Sequence, residues 1–397
     1  IQILLAKLRM AIFSRGYRQL LIPLVIVAIF LLIGTAYSNS NEIVGKVNEI
    51  RDQGLSSSVK IAGSPKRTKK KGSNAFKREN ATFITLARNE ELEGLLSSIN
   101  EVESRFNKDH HYDWVFFNDE EFTMEFRQRV SLAVSGKAKF GRIPEEHWGY
   151  PSFIDMNRAA DAREFLKGII YGQSESYRFM CRFESGFFYK QPLMDEYKYY
   201  WRVEPDVKFP CDIIEDPFRV MREKNRVYGF TLALYEIPPV VYGLWEATKE
   251  FMEKYPQYIN GHNANRFVSW DQNETYNLCH FWSNFEIADL DFFRSEAYET
   301  FFQHIDEAGG FFYNRWGDAP VHTLAVSLLL DRDQLHWFKN IGYYHPPFQN
   351  CPAEPEVRRE LNCDCPNILG APRDDWFNFA YEANSCISEY MIAIGKD

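Results

Sequence analysis

A strand, helix, strand pattern near residue 80 constrains this chain more than any other feature. In "ATFITLARNEELEGLLSSINEVESRFNKDHHYDWVFFND", residues 82–87 and 114–117 are short apolar runs of the kind found in buried strands. Between them, residues 90–106 carry apolar side chains at helical spacing. A helix that joins two strands in this way makes them parallel neighbours in one sheet. The folded part is therefore expected to be an α/β domain.

The pattern continues along the chain and indicates where a ligand would bind. Residues 163–170, 216–223 and 241–255 have helical spacing, "RVYGFTLAL" is typical of a strand, and the part from about Tyr343 is expected to be irregular. Ligands of such sheets bind beyond the carboxyl ends of the strands, which places Arg88 and Asn89 at a site. No glycine-rich phosphate motif follows the first strand, so a dinucleotide enzyme is disfavoured.

The amino-terminal region predicts a membrane anchor. Residues 19–37, "QLLIPLVIVAIFLLIGTAY", are uncharged and follow Lys7, Arg9, Arg15 and Arg18. About 20 apolar residues span a bilayer, and basic residues before the span hold that end in the cytosol. We expect a cytosolic tail over 1–18, a transmembrane signal anchor over 19–37, and a single-pass type II protein. The alternative is a cleaved signal peptide, whose apolar core is usually about 7–15 residues.

Charge separates the next segment from the rest. Residues 1–78 contain 14 Lys and Arg against three Asp and Glu, whereas residues 79–397 contain 32 against 52, a net charge of −20. The basic stretch "SSSVKIAGSPKRTKKKGSNAFKR" has too little apolar content to fold, so residues 38–78 are expected to be a flexible stem rather than a nucleic-acid patch. The acidic remainder, 79–397, is the expected lumenal catalytic domain and permits a cation-dependent site.

Cysteines and glycosylation motifs agree with a secretory location. The seven cysteines all follow the predicted span, which in an oxidising compartment allows up to three disulfides and leaves one thiol. No CxxC pair occurs, so a zinc site built from sulfur ligands is disfavoured. Asn80 in "NAT" and Asn273 in "NET" match the N-glycosylation pattern.

A short acidic motif ends the strand-like segment "KYYWRVEPDVKF". Glu204 and Asp206 flank a proline there, and carboxylates at a strand end point into the crevice beyond it. Oxygen ligands of this type suit Mg²⁺ or Mn²⁺, and a divalent ion would neutralise the charge of a leaving diphosphate. The alternative is a turn in which Asp206 caps the following segment.

Five longer segments identify a family. They are "SYRFMCRFESGFFY", "YYWRVEPDVKFPCDI", "YNLCHFWSNFEIADLDFFRS", "GGFFYNRWGDAPVHTLAVSLLLD" and "IGYYHPPFQNCP". In this order, and after a single anchor, they resemble the fungal α-1,2-mannosyltransferases of glycosyltransferase family 15, which are type II enzymes of the yeast Golgi. The resemblance extends from about Ala81 to Pro352.

The resemblance implies a fold, a donor and a metal site. It implies a GT-A type fold with a mixed, mainly parallel central sheet, GDP-mannose as the donor, Mn²⁺ as the ion, and transfer with retention of configuration. Glu204 and His345 match the metal-binding positions of the family, and Asp206 would contribute directly or through water. Without the resemblance, a lone histidine would be read as structural.

The resemblance also assigns Glu286 in "FWSNFEIADL" as the proposed nucleophile. Retention can proceed by two inversions through a glycosyl-enzyme, which is known for hydrolases and is extended here by analogy. In the alternative, front-face mechanism, the departing diphosphate deprotonates the acceptor and Glu286 only stabilises positive charge on the sugar. A buried or helix-capping carboxylate is the non-functional interpretation of this residue.

Four further positions receive assignments. Asp318 in "RWGDAPVH" is a candidate for acceptor positioning or base assistance, although a helix N-cap is the alternative. Tyr177 matches a family position facing the donor site. Arg202 is expected to contact the diphosphate, or else to form a salt bridge with Glu204 on the same side of the strand. Arg88 is assigned to the nucleotide end.

Three functions follow. The first is transfer of mannose to a mannose hydroxyl of O-linked or N-linked glycans or cell-wall mannan. The second is mannosylphosphate transfer on the same fold. The third is a non-catalytic, mannan-binding Golgi protein, which the combined presence of Glu204, Glu286 and His345 disfavours.

Overall fold

A computed structural model describes residues 78–365 and 385–396 of the chain. The predicted cytosolic tail and membrane anchor, together with almost all of the predicted stem, lie outside these ranges. In the described part of the chain, no helix is both long enough and apolar enough to cross a membrane.

Eleven strands occur in the described residues. They are β1 Ala81–Leu86, β2 Asp113–Asn118, β3 Ala138–Arg142, β4 Tyr199–Val203, β5 Tyr228–Phe230, β6 Ala233–Tyr235, β7 Cys279–Phe281, β8 Phe285–Asp289, β9 Leu335–Trp337, β10 Tyr343–His345 and β11 Phe348–Asn350. Seven of them form the central sheet in the order β3-β2-β1-β4-β8-β5-β9. Strand β8 is antiparallel to both of its neighbours, and every other adjacent pair in the sheet is parallel. The mixed, mainly parallel sheet expected from the sequence is confirmed.

Helices surround this sheet. Those in the described ranges are α1 Leu92–Arg105, α2 Met124–Ala133, α3 Met156–Phe165, α4 Glu175–Gly186, α5 Pro217–Glu223, α6 Leu244–Lys254, α7 Leu290–Phe293, α8 Glu296–Glu307, α9 Gly310–Tyr313, α10 Asp318–Leu329, α11 Pro355–Glu360 and α12 Ile387–Ala393. Helices α1, α5 and α6 confirm the predicted helices near 90–106, 216–223 and 241–255. The first strand, helix, strand unit is therefore β1, α1 and β2.

The helix predicted over residues 163–170 is wrong in position. The side chain of Asp155 accepts hydrogen bonds from the backbone amides of Asn157 and Arg158, so α3 begins early, at Met156. Helix α3 ends at Phe165, and turns follow that include Tyr171 with a φ of 58°. The spacing of apolar residues does not reveal the cap that determines where the helix starts.

Two other predictions need correction. The segment "RVYGFTLAL" does not form one strand, because β5 joins the central sheet whereas β6 pairs with β7 in a separate two-stranded sheet. The region after Tyr343 is not wholly irregular, since β10 and β11 form an antiparallel pair and α11 follows. Short pairings of this kind depend on distant partners and leave little periodic signal.

Side chains alternate between two hydrophobic cores, one on each face of the sheet. Phe83, Trp114 and Trp201 pack into one core, together with residues of α1, α2 and α5. Ile84 and Tyr200, their neighbours in sequence, pack into the other core with α4, α8 and α10. This alternation follows from the two-residue period of a strand, and it assigns every residue of β4 to a face.

Disulfides join distant parts of the domain. Cys211 is bonded to Cys363, Cys279 to Cys386, and Cys351 to Cys365, while Cys181 is a buried free thiol. The predicted upper limit of three disulfides and one unpaired cysteine is therefore reached. The Cys279–Cys386 bond attaches the start of α12 to β7, across 107 residues of sequence.

Candidate active site

Because side chains alternate along a strand, the candidate site residues of β4 and β8 lie on one face of the sheet. Arg202 in β4 is directly opposite Glu286 in β8, because these two strands pair in antiparallel register. Tyr200 points to the same face, two residues before Arg202, and β4 ends immediately before Glu204. The reversed direction of β8 brings its amino end to the carboxyl end of β4. The site therefore forms where β4 ends, as expected for a sheet of this type.

Arg202 links two acidic residues. Its Nε donates to Oε1 of Glu204 over 2.6 Å, and its Nη1 donates to Oδ2 of Asp318 over 2.6 Å. The side chain is almost completely buried. The salt-bridge interpretation of Arg202 is thus confirmed, while contact with a diphosphate stays a prediction.

Asp318 is the first residue of α10, but its side chain does not cap that helix. Gly317 is the N-cap residue, and Oδ2 of Asp318 accepts hydrogen bonds from Arg202 and from the hydroxyl of Ser283, the latter over 2.7 Å. Burial raises the pKa of Asp318, but the neighbouring Arg202 guanidinium and the charge of His322 outweigh burial and hold that pKa below its ordinary value. Asp318 is therefore an ionised carboxylate inside the site.

Glu286 is held by three donors. Its Oε1 accepts a hydrogen bond from the hydroxyl of Tyr200, and its Oε2 accepts one from Tyr228 over 2.6 Å. The Nδ1 of His322 lies 2.8 Å from the same Oε2, and the His322 Nε2 lies 3.0 Å from the backbone oxygen of Glu184. The carboxylate is consequently fixed in orientation, and only 1% of the residue's surface is exposed.

The pair formed by Glu286 and His322 is ionic. Burial raises the pKa of Glu286, but the charge of His322 and the hydrogen bonds from His322 and the two tyrosines together lower it below its ordinary value. Burial lowers the pKa of His322, but the Glu286 carboxylate more than offsets this and raises it. An anionic Glu286 is what both proposed mechanisms of retention require.

The candidate metal ligands Glu204 and His345 are brought to the same edge of the domain. Lys208, just after the acidic motif, exchanges two backbone hydrogen bonds of 2.9 Å with Tyr344, so β10 runs beside the motif. The Nδ1 of His345 lies 3.2 Å from the backbone oxygen of Pro346, which favours a proton on Nδ1 and leaves Nε2 as a metal ligand. Both side chains are partly accessible, and a carboxylate with an imidazole is a suitable ligand set for Mn²⁺.

Asp206 points elsewhere. It adopts a left-handed backbone with φ of 60°, and its amide donates to the backbone oxygen of Gly94 over 3.2 Å. Its carboxylate packs against Gly94 of α1 so closely that a Cβ at that glycine would lie 2.6 Å from Oδ2. In the described ranges, Glu204, Asp206 and His345 are not among the groups whose ligand atoms all lie within 4.8 Å of one another. This agrees with participation through water better than with direct ligation.

Tyr177 and Arg88 occupy different surroundings. Tyr177 lies on α4, where its ring stacks on Tyr171 with centroids 4.5 Å apart and the Arg315 guanidinium lies 5.1 Å from its ring centre. Arg88 is exposed immediately after β1, as its position in the sequence predicted. Its assignment to the nucleotide stays a prediction.

Sequence reasoning missed several residues of the site. They are Glu184, Tyr200, Tyr228, Ser283 and His322. Two-residue alternation placed Tyr200 on the face of Arg202, and helical spacing placed Glu184 on the face of Tyr177, so both could have been found. Tyr228, Ser283 and His322 gave no local signal, because each meets its partner only through the tertiary fold.

Comparison with known proteins shows that a chain with this sheet and site is a glycosyltransferase. The family model described as glycolipid 2-alpha-mannosyltransferase matches residues 38–394. The chain therefore belongs to this family, which is the family indicated by its motifs.

The curated relatives that the chain resembles belong to the same class of enzyme. Glycolipid 2-alpha-mannosyltransferase 1 of Candida albicans is 55% identical over 312 residues, which are 78% of this chain and 70% of the relative. Alpha-1,2 mannosyltransferase KTR1 of Saccharomyces cerevisiae is 51% identical over 315 residues, covering 79% of this chain and 78% of the relative.

The chain is also similar to solved structures of mannosyltransferases. The Mn/GDP form of core-mannan synthase A from Aspergillus fumigatus has a TM-score of 0.74 at 39% identity and covers 85% of this chain and 93% of that chain. The mannosyltransferase Ktr4p of S. cerevisiae in complex with GDP has a TM-score of 0.74 at 36% identity, with coverages of 89% and 91%.

Proposed function

We propose that this protein is a retaining α-1,2-mannosyltransferase that moves mannose from GDP-mannose to a mannose hydroxyl of a glycan. The observation that carries the proposal is the arrangement of Glu204 and His345 beside the end of β4, next to the Arg202–Asp318 pair and the caged Glu286. The relatives named above, including those solved with GDP and with Mn/GDP, support the donor and the ion.

Glu204 and His345 would hold the Mn²⁺ ion, with Asp206 contributing through water. When bound, the ion supplies positive charge to the leaving diphosphate. Arg202 keeps Glu204 in place through its 2.6 Å bond, and the same arginine fixes Asp318. Tyr177 and Arg88 are proposed to contact the donor.

Glu286 and Asp318 carry the chemistry in this proposal. Three donors aimed at Glu286 keep it negative and fixed where positive charge develops on the sugar ring. Attack by Glu286 on the anomeric carbon would break its bond to the diphosphate, release GDP and give a glycosyl-enzyme, from which the acceptor hydroxyl would displace Glu286 as it loses its proton. In the front-face alternative, Glu286 acts by charge alone. Asp318, ionised beside Arg202, would orient the acceptor hydroxyl or assist its deprotonation.

The function is tested with the purified protein, GDP-mannose, Mn²⁺ and methyl α-mannoside. We expect GDP release and an α-1,2-linked dimannoside. A phosphodiester product would move the assignment to mannosylphosphate transfer, and no product with several mannoside acceptors would favour the non-catalytic mannan binder.

The metal site is tested with Glu204→Ala and His345→Ala. Both variants should lose Mn²⁺-dependent affinity for GDP while remaining folded by circular dichroism. His304→Ala is the matched control, because His304 is also a half-buried histidine, and its Nε2 lies 3.0 Å from the backbone oxygen of Ala247. Unchanged Mn²⁺ titrations in both site variants would refute the assignment.

The role of Glu286 is tested by trapping. A mannosyl adduct on Glu286, detected by mass spectrometry of a slowly reacting donor complex, would establish double displacement. Substantial turnover by Glu286→Ala would exclude an obligatory nucleophile and leave the front-face mechanism.

We further propose that the enzyme is a single-pass type II protein of the Golgi membrane acting on O-linked or N-linked chains or on cell-wall mannan. The uncharged run over residues 19–37 and the basic residues before it support the anchor. Protease protection of sealed Golgi vesicles tests it, since the catalytic domain should be digested only after detergent is added.

A further inference from the structure

Helix α4 places a third buried acid, Glu184, beside Glu286 and Asp318 on the catalytic face. Tyr177 and Glu184 are seven residues apart and therefore lie on the same side of the helix. Between them, the Sδ of Met180 lies 4.0 Å from Nη2 of Arg202. The Oε2 of Glu184 lies 4.0 Å from Nη1 of the same arginine, beyond hydrogen-bond distance, and the residue is only 3% exposed.

One guanidinium thus faces three carboxylates. Glu204 and Asp318 each accept a short hydrogen bond from Arg202, whereas Glu184 accepts none from it. Another cation on this face, His322, is paired with Glu286. Glu184 and Asp318 are buried and Glu204 is partly exposed, so the two buried carboxylates carry the greater desolvation cost, which only a partner offsets.

The proton belongs on Glu184. Asp318 has two donors directed at it, and Glu204 has a short bond to Arg202 and is partly accessible to water. Burial is the largest influence on Glu184, and the charges of Asp318, Glu204 and Glu286 add to it. Although Arg202 acts in the opposite direction, the pKa of Glu184 is raised to about 8.

We propose that Glu184 serves the transfer reaction as an uncharged carboxylic acid, a positioning residue that leaves the Arg202 guanidinium to Glu204 and Asp318. The catalytic role of Glu184 rests on the proposed function. The protonation of Glu184 does not depend on that function. If Glu184 ionised, it would compete for the guanidinium of Arg202. Glu204 and Asp318 would then lose the partner that fixes their positions.

The first test measures the stability of the protein and needs neither Mn²⁺ nor GDP-mannose. A folded state that keeps a proton which the unfolded chain releases becomes less stable as pH rises between the two pKa values. The wild-type unfolding constant should therefore rise, relative to that of Glu184→Gln, by up to about tenfold per pH unit between roughly pH 5 and 8. Denaturant unfolding of both proteins measures this ratio, and a ratio independent of pH would overturn the proposal.

The second test measures the activity of the enzyme with Mn²⁺ and GDP-mannose. Glu184→Gln keeps the shape and neutrality of the acid, so its kcat/KM should not decline at the alkaline pH where that of wild type declines. A loss of more than a hundredfold in Glu184→Gln, with activity kept by Glu184→Asp, would show that the charged form is needed and would overturn the proposal. An alkaline decline shared by wild type and Glu184→Gln would overturn it as well.

Glu103→Gln is the matched control. Glu103 is also a buried glutamate, but it lies on α1, where Asn107 and Trp114 donate to its Oε1. Glu103→Gln should therefore keep the pH profile of the wild-type enzyme. If the wild-type protein transfers no mannose, the proposed function fails, while the unfolding comparison still decides whether Glu184 holds the proton.

Discussion

Arg202 and Glu286 stand directly opposite each other on β4 and β8, yet each is held by a different set of partners. Arg202 binds Glu204 and Asp318, whereas Glu286 is held by two tyrosines and His322. The two clusters share one face of the sheet. The site therefore contains two adjacent charge clusters, each with its own cation.

Removing the side chain of Arg202 should lower the stability of the protein more than removing that of Arg222, an arginine in a surface ion pair. Arg202→Met would leave Asp318 and Glu204 without their cation, so we expect a loss of about 3–5 kcal/mol in the free energy of unfolding, measured with urea. The control is Arg222→Met, because Arg222 binds Glu79 at a half-exposed position and its loss should change stability little. Equal effects of the two substitutions would contradict the assignment of a buried network.

The Glu286–His322 pair should make stability depend on pH in both directions. The folded-state pKa of Glu286 is lowered, so its stabilisation is present above about pH 4.5 and is lost as pH falls through the lowered pKa. The pKa of His322 is raised, so its stabilisation is present below about pH 6.5 and is lost as pH rises through the raised pKa.

A double-mutant cycle with Glu286→Gln and His322→Gln measures the pair directly. The coupling energy should be about 0.5–3 kcal/mol and greatest between roughly pH 4.5 and 6.5. Coupling that is absent throughout this window would show that the two side chains are not an ion pair.

Gly94 should resist a substitution that usually stabilises a helix. Replacing an interior helical glycine by alanine commonly gains about 0.5–1 kcal/mol. Here the new Cβ would lie 2.6 Å from Oδ2 of Asp206, so Gly94→Ala should lower the melting temperature and disturb the acidic motif. Ser97→Ala, at an exposed position of the same helix, should not. A stabilised Gly94→Ala variant with unchanged Mn²⁺ affinity would show that Asp206 is free to move.

The disulfides should contribute according to the length of chain they close. Replacing both Cys279 and Cys386 with alanine should cost about 2–5 kcal/mol. Replacing Cys351 and Cys365 should cost about 2 kcal/mol less, because the two bonds span sequence separations of 107 and 14 residues. Chemical unfolding under non-reducing conditions compares the two variants, and the reverse order would contradict the loop-entropy explanation.

Local pattern predicted those parts of the fold that depend on neighbouring residues. The apolar runs around α1 gave β1 and β2, and alternation along β4 put Arg202 on the same side as Glu204. The helix near residue 163 was misplaced because its start depends on the Asp155 cap, and "RVYGFTLAL" was read as one strand because its two halves pair with different partners.

The sequence alone determined the family, the α/β class and the acidic motif at the end of β4, and it proposed Glu286, Asp318 and His345 as site residues. Only the tertiary structure decided how these residues are partnered. Arg202 meets Asp318 across 116 residues, and Tyr200 meets Glu286 across 86. Burial in the folded domain, together with the charges of neighbouring carboxylates, raises the pKa of Glu184. Periodicity fixes which face a side chain occupies, but charges and hydrogen bonds act through space, so their balance is set when the distant strands and helices pack together.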